Sequence, residues 1–445
     1  MTANVTPIFM FLNRISIVLI LTKKQTDNCL KNEIIKLKQH IMNKRIILLA
    51  IIVLVMSCKS GQKKSTENVV ADADTVAVVE VPTGPITIHI DDEMRPLYDT
   101  LRLGELIESY RLIPLSSSEE SFMWPIRDIH FMEDQYFISY GDLITTRMKS
   151  FDKNGNFIKE IYNIGRGPNE VLSPLGRVYN DAQKTIALIC TNREILKIDA
   201  VTHCLKKIYI DDILKPFRPC SFDNGMYVAM TLKDYKIPES IAKEGSFLYY
   251  YDSDFNIIGS IADNKDRTHR NIEGVTTFPR IKKIISQSGD RVLYKDMLND
   301  TIYSVSVDGK LTPAIIVDIP NKLKPTLRES ELAKEQDKHK KIYLDNVTET
   351  KDYIIITYYF KGVQHTGIWS KATQELLYLS TRLSGVIHLV IQINEMKWHG
   401  GCCNFSTENN TFITDIPASM AKSEIDSLKD EDNSVLVEIT LANGK

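Results

Sequence analysis

The chain has 445 residues, 43% hydrophobic and 25% charged, with a formal net charge of -2. That length suits two or three ordinary domains or one large repeat fold, and the composition excludes disorder along the whole chain. The near-neutral balance supplies no field to draw nucleic acid, so no nucleic-acid partner is expected.

The first 41 residues carry an apolar run, Phe9 to Leu21, that Asn13 and Arg14 interrupt. Met42 opens a complete export signal by itself. Lys44 and Arg45 form the basic head, and Ile46 to Met56 is unbroken apolar sequence. As a helix this run spans ~17 Å, short of the ~30 Å hydrocarbon core, so it reads as a signal core and not a membrane span. Translation is therefore expected to start at Met42, with 1–41 a mis-assigned upstream extension; an N-terminal membrane helix is the alternative. The run closes on Val55-Met56-Ser57-Cys58, which resembles the lipobox of bacterial lipoproteins although Met56 is larger than the usual residue there. Residues 42–57 are thus read as a lipoprotein signal and Cys58 as the lipidated mature N-terminus. An ordinary cleaved signal with a chance cysteine is the alternative. Lys59 does not match the sorting signal for inner-membrane retention, so the acyl chains are expected in an outer-membrane leaflet. Lys63 and Lys64, standing where an acidic export run would be, favour the periplasmic face. Residues 58–85 are polar and cannot bury a core; they read as a flexible tether of roughly 28 Å r.m.s. span. Asp74-Thr75-Val76 within it resembles a short O-glycosylation motif, or is plain linker.

After Pro85 short runs of Ile, Val, Tyr and Phe alternate with Asp, Asn and Gly turns. Predicted strands include Ile86–Ile90, Tyr110–Leu115, Ile126–Met132, Gln135–Tyr140, Thr185–Cys190, Arg291–Lys295, Tyr353–Phe360 and Val435–Leu441. This density of strands indicates an all-β fold. Five hairpins turn at Asp152–Gly155, Asp199, Asp252–Asn256, Val307–Gly309 and Ser370–Ala372. They recur at roughly 50 to 60 residues, a little above the ~40–50 of common propeller blades. Each is expected to be the outer pair of a four-stranded blade. The chain ends then supply a sixth, with the strand near Ile86 or Tyr110 and that near Val435 in one blade. The expectation for 86–445 is a six-bladed β-propeller with short helical insertions, closed to remove unpaired edges. The insertions are placed at Pro238–Glu244, Pro325–Lys341 and Ile416–Leu428.

Phe151-Asp-Lys-Asn-Gly-Asn-Phe157 followed by Ile164-Gly-Arg-Gly-Pro-Asn-Glu170 resembles the signature of the 6-bladed β-propeller lipoprotein family of gut Gram-negative bacteria, relatives of NHL-repeat propellers. Asn299-Asp-Thr-Ile-Tyr303, Asp308-Gly-Lys-Leu-Thr-Pro313 and Asp432-Asn-Ser-Val-Leu436 resemble further stretches of it, with Ser434 at a position usually held by proline. The resemblance runs from about Ile107 to the C-terminus. It implies a fold and an envelope address, and no activity.

Of the seven cysteines, Cys29 and Cys58 lie in the leader; Cys190, Cys204, Cys220, Cys402 and Cys403 have no framework spacing. In the hairpin register above, Cys190 and Cys204 are separated by a third strand, so no disulfide is expected.

The best site candidate is the loop of Arg166, Asn169 and Glu170. Its two glycines open backbone conformations closed to other residues, and Pro168 stiffens it. Arg166 offers a planar donor fork for a carboxylate or phosphate. The competing reading is a structural crossover, with Arg166 paired to Glu170 or to backbone. Asp152-Lys-Asn-Gly-Asn156 resembles the start of a calcium loop, but Asn163 at the twelfth position cannot supply a bidentate carboxylate, so a hairpin is expected. His399 and Cys402 lack the further ligands a zinc site needs, and read as part of a packed loop. No catalytic or metal residues are assigned, and the cofactor is unknown. The function expected is a membrane-anchored binding or scaffold module for an envelope glycan, peptide or protein. The alternative is a hydrolase or lyase with a metal in the central channel.

Overall fold

The computed structural model describes residues 84–90, 97–142, 145–167, 170–172, 174–191, 193–210, 215–231, 246–262, 284–288, 291–295, 300–319, 343–361, 363–382, 389–400, 404–406 and 409–443. The leader with Cys58, the tether up to Thr83, the helices expected at 238–244 and 325–341, and Pro168, Asn169, Cys402 and Cys403 lie outside these.

The described chain is nearly all strand. β1 (Ile86–His89), β2 (Leu101–Arg102) and β3 (Ile107–Pro114) lead into a series of antiparallel four-stranded meanders. Sheet one is β4 (Ile126–Met132), β5 (Gln135–Tyr140), β6 (Arg147–Asp152) and β7 (Phe157–Ile164), extended by β8 (Glu170–Val171) in parallel with β7. Sheet two is β9 (Pro174–Asn180), β10 (Thr185–Cys190), β11 (Glu194–Asp199) and β12 (Leu205–Tyr209). Sheet three is β13 (Pro216–Ser221), β14 (Tyr227–Thr231), β15 (Ser246–Tyr251) and β16 (Ile257–Ala262). Sheet four is β17 (Ile284–Ser288), β18 (Arg291–Lys295), β19 (Thr301–Val305) and β20 (Leu311–Asp318). Sheet five is β21 (Tyr343–Glu349), β22 (Tyr353–Phe360), β23 (Val363–Ser370) and β24 (Leu376–Arg382). A hairpin of β25 (Leu389–Ile393) and β26 (Met396–Gly400) follows, with β2 added in parallel to β25. Sheet six is β27 (Asn404–Ser406), β28 (Thr411–Ile416) and β29 (Val435–Leu441), with β3 as its fourth strand.

All five hairpins expected from the turns are the third and fourth strands of their meanders, as expected of outer pairs. The first strands of successive sheets are where neighbours approach: β9 beside β13, β13 beside β17, β17 beside β21, and β27 beside β4. Apolar clusters fill the spaces between sheets. Ile129, Tyr136 and Ile138 of sheet one meet Ile113, Ile413 and Leu436 of sheet six. Phe137 and Met148 meet Leu188 and Leu196 of sheet two. Ile189 and Ile195 meet Tyr227 and Tyr251 of sheet three, and Val228 and Leu248 meet Val292 and Tyr294 of sheet four. Leu293 and Ile315 meet Ile354 and Trp369 of sheet five. Tyr353 and Ile368 meet Phe412, Val437 and Ile439 of sheet six, and Ile391 and Trp398 of the added hairpin join the same core. Sheets packed on both faces need apolar side chains on both faces of their middle strands, which is why β22 reads Tyr-Ile-Ile-Ile-Thr-Tyr-Tyr-Phe with no polar alternation. This is the layout of a β-propeller.

The turn chemistry explains the hairpins. Asp152 Oδ1 accepts the N–H groups of Asn154 and Asn156 at 2.8 and 2.9 Å, and Asn156 Nδ2 donates to Asp152 Oδ2 at 2.8 Å. Asp252 makes the same three bonds with Asp254 and Asn256. Burial opposes the charge of both carboxyls, yet these hydrogen bonds hold them below the usual carboxylate range. The calcium-like spacing at Asp152 is therefore a hairpin cap. Gly155 takes φ +87°, and a Cβ there would lie 2.1 Å from Pro114 O, so the first turn admits only glycine.

Two expectations need correction, and one open alternative is settled. The strand near Ile86 does not join the closing sheet. β1 adds in parallel to the outer edge of sheet four, from Ile86 opposite Ile315 to His89 opposite Asp318, because Ile88 is buried there with Val317. It is β3, through Tyr110, that pairs with β29. The helix expected over 416–428 is a single turn, α1 (Ala418–Ala421); beyond it the chain continues as a series of turns, with Ile425 and Leu428 still packed on the core. Residues Trp398 to Gly400 are strand and not loop: Trp398 is buried on β26 while His399 is exposed.

Cys190, Cys204 and Cys220 are free thiols. Burial pushes the thiols of Cys190 and Cys220 up to about 12, so neither is a nucleophile near neutral pH.

Candidate functional site

In each meander the first-to-second and third-to-fourth strand turns lie at one end of the sheet. The second-to-third connection and the exit to the next sheet lie at the other. At the first end no turn exceeds five residues, as at 200–204, 252–256 and 306–310. The strand ends at the second end are joined in sequence by the longer stretches 115–125, 165–173, 232–245, 263–283, 319–342, 383–403 and 417–434. Every long connection between the meander strands thus leaves from one end. That end also carries Phe122, Trp124 and Tyr209, exposed at 52%, 67% and 73%.

The Arg166 loop belongs to this end, between β7 and β9. Glu170 folds back into it: its Oε2 accepts the Gly167 N–H at 2.7 Å, while Gly165 N–H donates to Val171 O at 3.1 Å. Lys207 Nζ donates to Gly167 O at 2.9 Å and faces Glu194 Oε2 at 3.7 Å, tying the loop to sheet two. Neither glycine has a left-handed backbone. A Cβ on Gly165 would sit 2.0 Å from Glu170 Oε2, so the inward fold of Glu170 uses the room this glycine leaves. Through its bond to Gly167, Glu170 latches the loop internally by its Oε2. Arg166 is exposed and, among the described residues, makes no ion pair or side-chain hydrogen bond; the pairing with Glu170 posed by the crossover reading is not formed. Asn169 lies outside the described residues.

A second group is brought together by the tertiary structure alone, on the first strands of sheets one and two. Tyr179 Oη donates to Asp128 Oδ2 at 2.7 Å, and Arg177 Nη1 stands 3.5 Å from the same oxygen. His130 stacks on Tyr179, with ring centroids 3.9 Å apart, and its Nε2 lies 2.7 Å from Asp181 Oδ1. Burial, then the Asp128 charge, holds the Tyr179 phenol well above its ordinary range, so it is a constant donor. Burial works against the Arg177 charge, but Tyr179 and Asp128 more than offset it. The Arg177 Nη1 atom is covered and, among the described residues, completes no hydrogen bond of good geometry. On the next first strand, a bulge between Phe217 and Cys220 sets Arg218 at φ 51°, exposed, with the Phe217 ring 5.4 Å from its guanidinium. Sequence reading passed over this group. The available signal was a pair of polar or aromatic residues at i, i+2 on each of two predicted first strands, Asp128 with His130 and Arg177 with Tyr179.

Among the described residues no three His, Cys, Asp or Glu side chains come together as metal ligands, and no helix is long and apolar enough to cross a membrane.

No curated protein matches the chain significantly. Among solved structures, a protein of Bacteroides fragilis NCTC 9343 (BF0058), provisionally described as exported, superposes with a TM-score of 0.54 at 14% identity, covering 80% of this chain and 99% of its own. At that identity the likeness speaks to fold alone. BamB from Moraxella catarrhalis matches with a TM-score of 0.38 at 10% identity, over 74% of this chain and 100% of its own. A family model described as a domain of unknown function, DUF4934, matches residues 85–440, which is the whole β-rich body, and the chain belongs to that family.

Proposed function

We propose that the protein is an exported, lipid-anchored propeller that binds an envelope ligand at the end carrying the long connections. The observation behind this reading is the asymmetry of the two ends. A rigid frame with short turns at one end and all its long connections at the other resembles scaffolds that present binding residues on loops. Exposed Phe122, Trp124, Tyr209 and Arg166 at that end add contact groups of the kind concentrated in interfaces. Export is supported by the signal-like run ahead of Cys58, and by the fold shared with a protein provisionally described as exported. The lipoprotein reading rests on Ser57-Cys58 and on the propeller-lipoprotein motifs. In it, Cys58 inserts into an outer-membrane leaflet and residues 59–85 tether the body at the periplasmic face.

Capture of partners from the native envelope tests the binding role. A glycan, peptide or protein retained by wild type should be lost or much reduced with Trp124→Ala and Arg166→Ala, while both variants melt within about 1 °C of wild type, as exposed substitutions do. Equal capture by all three proteins would refute binding at this end, and a large loss of melting temperature in Arg166→Ala would return the loop to a structural role. The anchor has its own test. Metabolic labelling with a fatty-acid probe should mark wild type and leave Cys58→Ala unlabelled; equal labelling would remove Cys58 as the acylated residue.

A further inference from the structure

The first strands of sheets one, two and three each carry an arginine within their first four residues: Arg127 on β4, Arg177 on β9 and Arg218 on β13. These strands are neighbours. Asp128 and Arg177 bridge β4 to β9, and Ser221 Oγ donates to Tyr179 O at 2.8 Å between β13 and β9. The strands run in the same direction. Stepping back from Ser221 and Tyr179 along them therefore brings Arg218 and Arg177 to similar levels. All three strands begin at the end with the long connections, so the arginines lie in that half of the inner wall. Asp128 is the one acid within the same stretches, and it is occupied by the Tyr179 hydroxyl and Arg177.

The three guanidinium groups are not equivalent. Arg127 gives its Nε–H to Gly141 O at 2.8 Å, which fixes it to the connection between β5 and β6. Arg177 is aimed by Asp128 and Tyr179; its Nη1 is covered beside Asp128, while about a quarter of the side chain (26%) stays open to solvent. Arg218 lies beside the Phe217 ring, and the bulge turns it out of the alternation of its strand. Bulges on sheet edges commonly re-aim a side chain. A donor fork held by a carboxylate and still partly open, level along the strands with a second, exposed fork on the next sheet, is the donor chemistry an oxyanion takes.

We propose that the inner wall of sheets one to three binds an oxyanion, a carboxylate, sulfate or phosphate group carried by a small ligand, with Arg177 and Arg218 as its donors. Asp128 and Tyr179 are positioning residues that hold Arg177. This deepens the binding reading above by naming the ligand class, and relies on it only in taking that end as the open one.

The test uses the mature chain, kept in solution by Cys58→Ser, in calorimetric titrations at constant ionic strength. The probes are inorganic sulfate, inorganic phosphate and D-galacturonate, with D-galactose as the neutral control. Saturable binding of at least one oxyanion and none of galactose is expected. Galacturonate alone would assign a sugar carboxylate, and sulfate or phosphate a tetrahedral ester; either upholds the proposal. Arg218→Asn, a residue that tolerates left-handed backbone, should weaken binding about 10- to 100-fold without lowering the melting temperature. Arg177→Lys keeps the charge and loses the fork, and should weaken it similarly. No saturable binding by any of the three anions, or wild-type affinity in both variants, overturns the proposal. Oxyanion binding that fails while envelope capture persists would sink this inference and leave the binding role standing.

Discussion

Deleting the last ten residues, 436–445, should unfold the body as a whole and not merely fray its end. The deletion removes nearly all of β29, which is the strand between β28 and β3. Sheet six then loses the connection between its N-terminal strand and its C-terminal strands. Leu436, Val437, Ile439 and Leu441 are each fully buried, and they serve two different cores, toward sheet one and toward sheet five. At about 1.5–3 kcal/mol per buried side chain their loss is roughly 6–12 kcal/mol, comparable to the whole stability of an ordinary domain. Specific bonds go as well. Tyr353 Oη donates to Ala442 O, Ala442 N–H donates to Leu106 O at 3.0 Å, and Asn410 Nδ2 reaches Asn443 Oδ1 at 3.1 Å. The check is a thermal melt followed by circular dichroism. A truncated chain that melts like the parent would contradict closure of the sheet series through β3 and β29, and with it the expectation of a six-bladed ring.

Arg291→Ala should be the most costly single charge removal, with a deficit that depends on pH. Arg291 on β18 donates through Nε to Glu349 Oε2 at 3.0 Å, across the boundary between sheets four and five. Lys371 Nζ lies 2.9 Å from Glu349 Oε1 and donates to Thr350 O at 2.6 Å. The Glu349 side chain is only 7% exposed, so removing a partner leaves much of a buried charge uncompensated. Arg291 itself is partly open to solvent, which reduces the cost to about 2 kcal/mol at pH 7. Burial pushes the Glu349 carboxyl up, but Arg291 and Lys371 hold it below its ordinary value. A carboxyl with a depressed folded pKa stabilises the fold fully above its unfolded pKa, about 4.3, and loses that contribution as pH falls through the lower folded value. The gap between wild type and Arg291→Ala should therefore be widest near neutrality and narrow below about pH 4. Denaturant titrations at pH 7 and pH 3 that give the same gap would show that the Glu349 charge is not what Arg291 supports.

The expected and observed features divide by the range of the interaction that creates them. Hairpins were readable along the chain because their causes are local. Asp152 and Asp252 carry the carboxylates that cap their own turns, Gly155 supplies the left-handed position its turn requires, and the flanking β-branched and aromatic residues pair across two to five intervening residues. That information was enough for an all-β body of four-stranded units, with every turn-defined hairpin as the last two strands of its unit. Which distant strand completes which sheet has no local cause. Ile86–His89 and Ile107–Pro114 are both short strands with buried isoleucines, and only the shape of the available edges sends the first to β20 and the second to β29. The same holds for the site. The glycines around Arg166 pointed to an unusual loop, but whether Glu170 turns outward or inward depends on the space those glycines leave and on Lys207 from another sheet. Arg127, Arg177 and Arg218 stand 50 and 41 residues apart in sequence and become neighbours only because the first strands of successive sheets pack side by side.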